Sequence, residues 1–443
     1  MFPNPQDALP LPPRPNVEQY KKIAKELVKA CQSDDAAIGQ WAARWVQSLV
    51  RNSELTLTPA QPVRQDRWVE QVAEFARHKL GGAEGRSCTL ADAQFAIARC
   101  QGFASWPKFA EHIAALHREG TRTSRFEAAA DAIVTGDAAK LKWLLRQDPE
   151  LQRARSTREH HATLLHYVSA NGVEGYRQKT PSNIVEIAKI LLDAGAEVDE
   201  EADVYGGGAT ALGLVATSIH PERAGVQSKL MQLLLDHGAV IDHAQGASNH
   251  QTLIQACVYN GRLRAAEFLA EHGAHLDLET AAALGQLQVV KSFFDEDGHL
   301  KPSATKRQME QGFTWACLYD RRRVVEFLLD RGVDVSVQGS QGETGLHWAA
   351  ASGHLDIVKL LLEHKASLET KNVYGGTVLG QTLWSAVNTA QPGVDHLPVI
   401  EALLAAGALV DEGTLAWLAE QRGGAAAAKA RIGETLRRYG AKS

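Results

Sequence analysis

Residues 342–374 read GETGLHWAAASGHLDIVKLLLEHKASLETKNVY. Thr344 stands where a helix wants its N-cap, because a hydroxyl there satisfies an otherwise orphaned amide. Residues 346–352 then predict a short apolar helix that Gly353 ends. A second helix is expected over 355–364, with Ile357, Val358, Leu360, Leu361 and Leu362 apolar. That is too many for one narrow stripe, so the helix needs cover on two sides. Asn372, Tyr374, Gly375 and Gly376 suit a turn. One such unit cannot bury its faces alone, whereas stacked copies can.

Copies are present. Two or three aliphatics, two polar residues, Gly-Ala and an aliphatic recur as LLDAGAEVD from Leu191, LLLDHGAVID from Leu233 and FLAEHGAHLD from Phe268. They return as FLLDRGVDVS from Phe327, LLLEHKASLE from Leu360 and LLAAGALVDE from Leu403. Lys365 replaces the glycine once. The spacing centres on 33 residues, with some longer units. At this point the sequence resembles the ankyrin-repeat family, of a stand-alone bacterial type with a helical N-terminal extension. TLLHYVSANG (163–172), TALGLVATS from Thr210 and TLIQACVYNG from Thr252 look like further helix starts of that family, and FEAAADAIVTG from Phe126 resembles a degenerate first repeat.

The resemblance implies an all-α fold, an ankyrin-repeat solenoid with an N-terminal helical module. The expected layout is a Pro-rich lead-in (1–15), a helical module (16–120), about eight repeats (124–412) and a helical C-terminal cap (413–443). Repeat boundaries fall near 124, 158, 204, 247, 278, 308, 340 and 374. In the module, helices are expected after Asn16, over 38–49, 66–80, 89–100 and 105–117, with a break at 55–62. The phrase ADAQFAIARCQGFASWPK resembles a segment preceding the repeats in some bacterial ankyrin proteins. Two helices about Gly102 also allow a helix-turn-helix, but the second offers only Lys108 and Arg118 as cations. A cap over the first repeat is the competing reading.

Composition narrows the chemistry. The chain has 443 residues, 44% hydrophobic and 22% charged, with 47 Lys plus Arg against 52 Asp plus Glu, a net charge of −5. Residues 1–120 carry 15 basic and 13 acidic side chains. No basic surface for nucleic acid is expected, and no membrane span. The N-terminus lacks the basic start and apolar run of a signal peptide. Five scattered cysteines without a CxxC pair suggest thiols in a reducing, cytoplasmic compartment. There is no GxxxxGK[ST], HExxH or GxSxG pattern, so no catalytic residue, metal site or cofactor is expected. His166 and His347 occupy the position where the family's histidine ties a hairpin to a helix.

Two surfaces suggest binding of another protein, of unknown identity. Between their first and second helices, repeats two, three and eight carry insertions of 11, 7 and 9 residues. The first two bring Glu174, Tyr176, Arg177, Lys179, His220, Glu222 and Arg223 together with Asn171. They are either tolerated surface elongations or a reader of anionic groups. The resemblance also places Tyr167, Asn171, Asn260, Trp315, Tyr319 and Trp348 on the inner face, with Tyr259 beside them. Aromatics there would anchor a partner or pack between repeats. The function expected is a non-catalytic protein-binding scaffold. The alternative is an enzyme or small-ligand receptor built on the insertions of repeats two and three.

Overall fold

The structure is a computed structural model that describes residues 4–52, 62–80, 88–118, 120–242, 252–389, 393–421 and 423–440. Its contacts divide the chain into two compact units, residues 1–273 and 274–443. Among the described residues there are helices and four isolated β-bridges, and no strands.

The first unit opens with five helices: α1 (Val17–Cys31), α2 (Asp35–Asn52), α3 (Pro62–Leu80), α4 (Leu90–Cys100) and α5 (Trp106–Leu116). Asn16 caps α1 by accepting the Glu18 amide at 2.8 Å, and Thr89 with Asp92 forms a capping box on α4. Tyr20, Leu27, Trp41, Trp45, Phe103 and Phe109 meet in one buried core. The break expected at 55–62 lies mostly outside the described residues. Helix α5 buries Phe109, His112 and Ile113. It packs against α4 on one side and α6 (Arg122–Thr135), the first helix of repeat one, on the other. The inward face of α5 is thereby committed to packing.

Helix α6 pairs with α7 (Ala138–Gln147). In repeat two the first helix is a 3-10 turn, Leu164–Ser169, followed by α8 (Ile184–Asp193). The Ser169 hydroxyl donates to the His166 carbonyl at 2.6 Å and so competes with the α-helical ladder. Repeat three supplies α9 (Ala211–Thr217), a short α10 (Ile219–Arg223) inside its insertion, and α11 (Gln227–Asp236). Repeat four supplies α12 (Leu253–Tyr259) and α13 (Leu263–Glu271).

The second unit is a regular stack. Its pairs are α14 (Leu278–Ala283) with α15 (Leu287–Ser292), α16 (Lys306–Leu318) with α17 (Arg322–Asp330), and α18 (Gly345–Ala351) with α19 (Leu355–Glu363). Helices α20 (Val378–Asn388) and α21 (Leu397–Ala405) follow, then α22 (Thr414–Glu420) and α23 (Ala426–Arg438). First helices α14, α16, α18 and α20 pack in series, and second helices α15, α17, α19 and α21 form the row behind them. A continuous apolar core runs through both rows, with Phe313, Leu346, Ile357, Leu361 and Leu403 buried. Thr305, Thr344 and Thr377 each cap a first helix through the side chain. The bridges Phe294–Leu300 and Gln338–Thr344 close turns between successive pairs.

Candidate functional site

The insertion of repeat two is no surface elongation. Val173 and Glu174 are fully buried, and Arg177 nearly so. The Arg177 guanidinium donates to Glu127 Oε2 at 2.7 Å and to Asp131 Oδ1 at 2.8 Å. Arg158 donates to Glu127 Oε1 at 2.6 Å and lies 3.0 Å from Glu174 Oε1. Tyr167 Oη donates to the same Glu174 oxygen at 3.4 Å, and the Arg158 guanidinium reaches Tyr176 Oη at 3.4 Å. Two arginines and two glutamates thus form a buried, charge-balanced cluster joining repeats one and two. Burial alone would raise the Glu127 carboxyl, but Arg158 and then Arg177 outweigh it and hold it at about 2. Glu174 is likewise held well below the usual carboxylate range, against its desolvation, by Arg158 and Arg177.

This corrects two expectations. Tyr167 is 0% exposed and Arg177 is engaged on carboxylates of its own chain, so neither presents itself to a partner. Tyr176 is half-buried and faces the same two arginines, with the Arg177 guanidinium 5.6 Å from its ring centre. Glu174, Tyr176 and Arg177 do converge, but on Glu127 and Arg158. His166 is turned elsewhere: its Nδ1 meets the Thr163 hydroxyl at 2.8 Å and its Nε2 the Ala209 carbonyl at 3.1 Å. That is the expected tie from helix to hairpin. His347 repeats it on the Thr344 side, with Nδ1 2.9 Å from the hydroxyl.

Beside this cluster lies a cavity of about 620 Å³ within the first unit. One wall is the N-terminal segment and α3, through Gln6, Asp7, Arg67, Trp68 and Gln71. The opposite wall comes from repeats two to four, including Asn171, Tyr205, Thr217, His220, Asn260 and Arg262. Tyr205 joins the walls, since its hydroxyl bonds to Gln6 Oε1 at 2.9 Å and to Asn171 Oδ1 at 2.6 Å. Asn171 donates to the Leu214 carbonyl and the Thr217 hydroxyl, both at 3.3 Å. His220 and Asn260 therefore line a cavity shared with the chain's own N-terminal helices. Lys179 and Arg223 stay exposed, outside this lining. Tyr259 is exposed beside Asn260.

In the second unit Trp315 is only 6% exposed and packs with the stack, whereas Tyr319 and Trp348 are half-buried. The more exposed aromatics are ones that the repeat alignment passed over: Tyr374 at 82% and Trp384 at 50%. Sequence reasoning also passed over Glu127, Arg158, Asp7, Arg67, Tyr205 and Arg262. Glu127 left a trace, as the lone acid in the apolar run FEAAADAIV. The others come from segments distant in sequence and left none. Among the described residues, the three side chains close enough to share a metal are Asp295, Asp297 and His299. They sit exposed on one turn, which alone does not make a metal site.

Paired helices stacked in two rows, with capped first helices and turn-closing bridges, define a helical repeat protein. Comparison names the repeat. The family described as Ankyrin repeats (3 copies) matches residues 278–372 and 313–414. Curated relatives share short stretches. Palmitoyltransferase AKR1 of Lachancea kluyveri is 36% identical over 102 residues, which is 22% of this chain and 14% of that protein. Protein fem-1 homolog A-like of Mus musculus is 33% identical over 89 residues, 20% and 14% of the two chains. A putative ankyrin repeat protein of Rickettsia bellii is 39% identical over 57 residues, 13% and 32%. The chain thus spans a third or less of each of these relatives. The human ASB11 ankyrin repeat domain aligns at 22% identity and TM-score 0.34, over 64% of this chain and 99% of that one. Residues 278–414 of the chain carry ankyrin repeats, and its described residues are all-α.

Proposed function

We propose that the chain is a protein-binding scaffold whose partner docks on the second unit. The observation that carries this is the exposure of Tyr374, Trp384 and Val373 on consecutive turns and helices of the repeat stack. Large aromatics left in water are costly for stability and useful for anchoring, because they supply contact area at small entropic cost. Trp348 and Tyr319, on or at the end of the first helices of neighbouring repeats, are half-buried and offer further aromatic area. A stack held by one continuous core presents it with little ordering to lose on binding. Trp315 is not an anchor in this reading, since only 6% of it is exposed. Exposed Lys179 and Arg223 of the first unit remain candidates for acidic contacts of their own. No described helix is long and apolar enough to cross a membrane. All five cysteines are free thiols, which fits the cytoplasmic placement that belongs to this reading.

The test is site-specific photocrosslinking in cells. A benzophenone side chain at Tyr374 is expected to trap a protein that the same probe at Lys359, exposed on α19, does not. Trp348→Ala with Trp384→Ala should reduce the adduct by about tenfold or more, as for two lost anchors. An adduct of equal yield in the folded double variant overturns the proposal.

A further inference from the structure

We infer that the cavity between the N-terminal helices and repeats two to four is a binding site for a small organic acid that also carries a hydroxyl or ammonium donor. The inference is independent of partner capture by the second unit.

Size sets the first bound. A volume of about 620 Å³ lies within the range of pockets that enclose small organic ligands, and its lining combines α3, α9, α10 and α12 with the turns at Asn171 and Tyr205. Polarity sets the second. Arg67 and Arg262 both line the cavity, while Asp7 is the one acidic side chain among its described lining residues. Arg262 places Nη1 on Glu222 Oε2 at 2.5 Å, which fixes the guanidinium. Its Nε is buried without a hydrogen-bond partner among the described residues. A buried donor on a fixed cation is what a carboxylate or phosphate oxygen satisfies.

Asp7 and Gln71, on the wall opposite Arg262, ask for the opposite chemistry. Asp7 is only 7% exposed, yet its carboxylate is served by two long bonds. These come from the Asn4 amide at 3.3 Å and Gln71 Nε2 at 3.5 Å. Among the described residues, no donor meets the buried Gln71 carbonyl oxygen. Two under-served acceptors side by side select a ligand with an O–H or N–H to give. A molecule with an anionic group at one end and a donor at the other meets both demands. A simple hydrocarbon acid meets one, and an apolar ligand neither. Tyr205, bonded to Gln6 and Asn171, holds the two walls in register around it.

The experiment is isothermal titration of the full chain with L-glutamate, L-malate, succinate and inorganic phosphate. Saturable binding of glutamate or malate is expected, tighter than succinate, which has the acid without the donor. Phosphate binding in preference to all three carboxylates would identify a phosphate ester as the natural source of the anion. Arg262→Lys keeps a cation for Glu222 but removes the Nε donor, and should weaken binding by about tenfold. Arg67→Gln should weaken it by a similar factor, while Arg146→Gln, exposed on α7, leaves it unchanged. Asp7→Asn should cost glutamate more affinity than malate, because only the first offers a charge to the carboxylate. Thermal melting of each unliganded variant separates lost binding from lost folding. No saturable binding of any probe at millimolar concentration overturns the proposal, as does unaltered affinity in folded Arg67→Gln and Arg262→Lys.

Discussion

Glu127, Arg158, Glu174 and Arg177 carry two charges of each sign into a region closed to water. Each ion alone would cost several kcal/mol to desolvate, and the mutual pairing offsets this. The cluster therefore specifies which side chains meet more than it adds stability. The histidines around it behave differently. Burial pushes His112 down to about 4, with Arg158 and Arg177 adding to the effect and Glu127 opposing it. Burial also pushes His166 down to about 4. Both groups are neutral above pH 6.5 whether folded or not, so their contribution is complete there. As pH falls from 6.5 toward 4 the unfolded chain takes up protons that the folded chain refuses. Stability should then drop by up to about 1.4 kcal/mol per pH unit for each histidine. Urea midpoints measured from pH 7.5 to 5 should fall, and His112→Asn should flatten the slope. A midpoint constant across that window contradicts the assignment.

At the scale of the element, the second helices α11, α13, α17, α19 and α21 end by turning the chain into the left-handed region. Gly238, Gly273, Gly332 and Gly407 do so with φ of 79–98°, at no steric cost. Lys365 takes the same place at φ 61°, where its Cβ crowds the backbone. Lys365→Gly is expected to stabilise the second unit by about 0.5–1 kcal/mol, less the extra freedom glycine has when unfolded. Its denaturation midpoint checks this, and a loss of stability would mean that the lysine side chain holds the turn in some other way. The first helix of repeat two shows the reverse relation. Its sequence matches the helix start, yet Ser169 and the buried insertion draw it into a 3-10 turn. Local pattern yields where a side chain offers the backbone a competing bond.

Within the first unit, residues expected as an extended lead-in are structural. Ala8 and Leu9 are buried, the Leu9 amide donates to the Cys100 carbonyl at 2.9 Å, and Gln6 meets Tyr205. Removing residues 1–15 should cost the first unit roughly 2–4 kcal/mol, from one leucine, one alanine and the lost amide bond. It should also raise hydrogen exchange around Tyr205. Unchanged exchange there would show that the segment does not hold the hairpin. The same segment makes one wall of the cavity, so truncation tests the fold and the site together.

The repeat, its period, the capping threonines and the helix-to-hairpin histidines were legible in the sequence. They depend on residues within about one repeat of each other, and stacking identical units leaves little freedom in how they pack. The inner-face aromatics were legible as a set but not in their exposure, because the same helix position is buried at Trp315 and half-open at Trp348 according to its neighbours. Only tertiary structure decided that Arg177 faces Glu127 rather than a partner, and that Asp7 and Arg262 line one cavity. Those pairs are 50 and 255 positions apart. No periodicity encodes such meetings, which arise from how the N-terminal helices pack on the repeats.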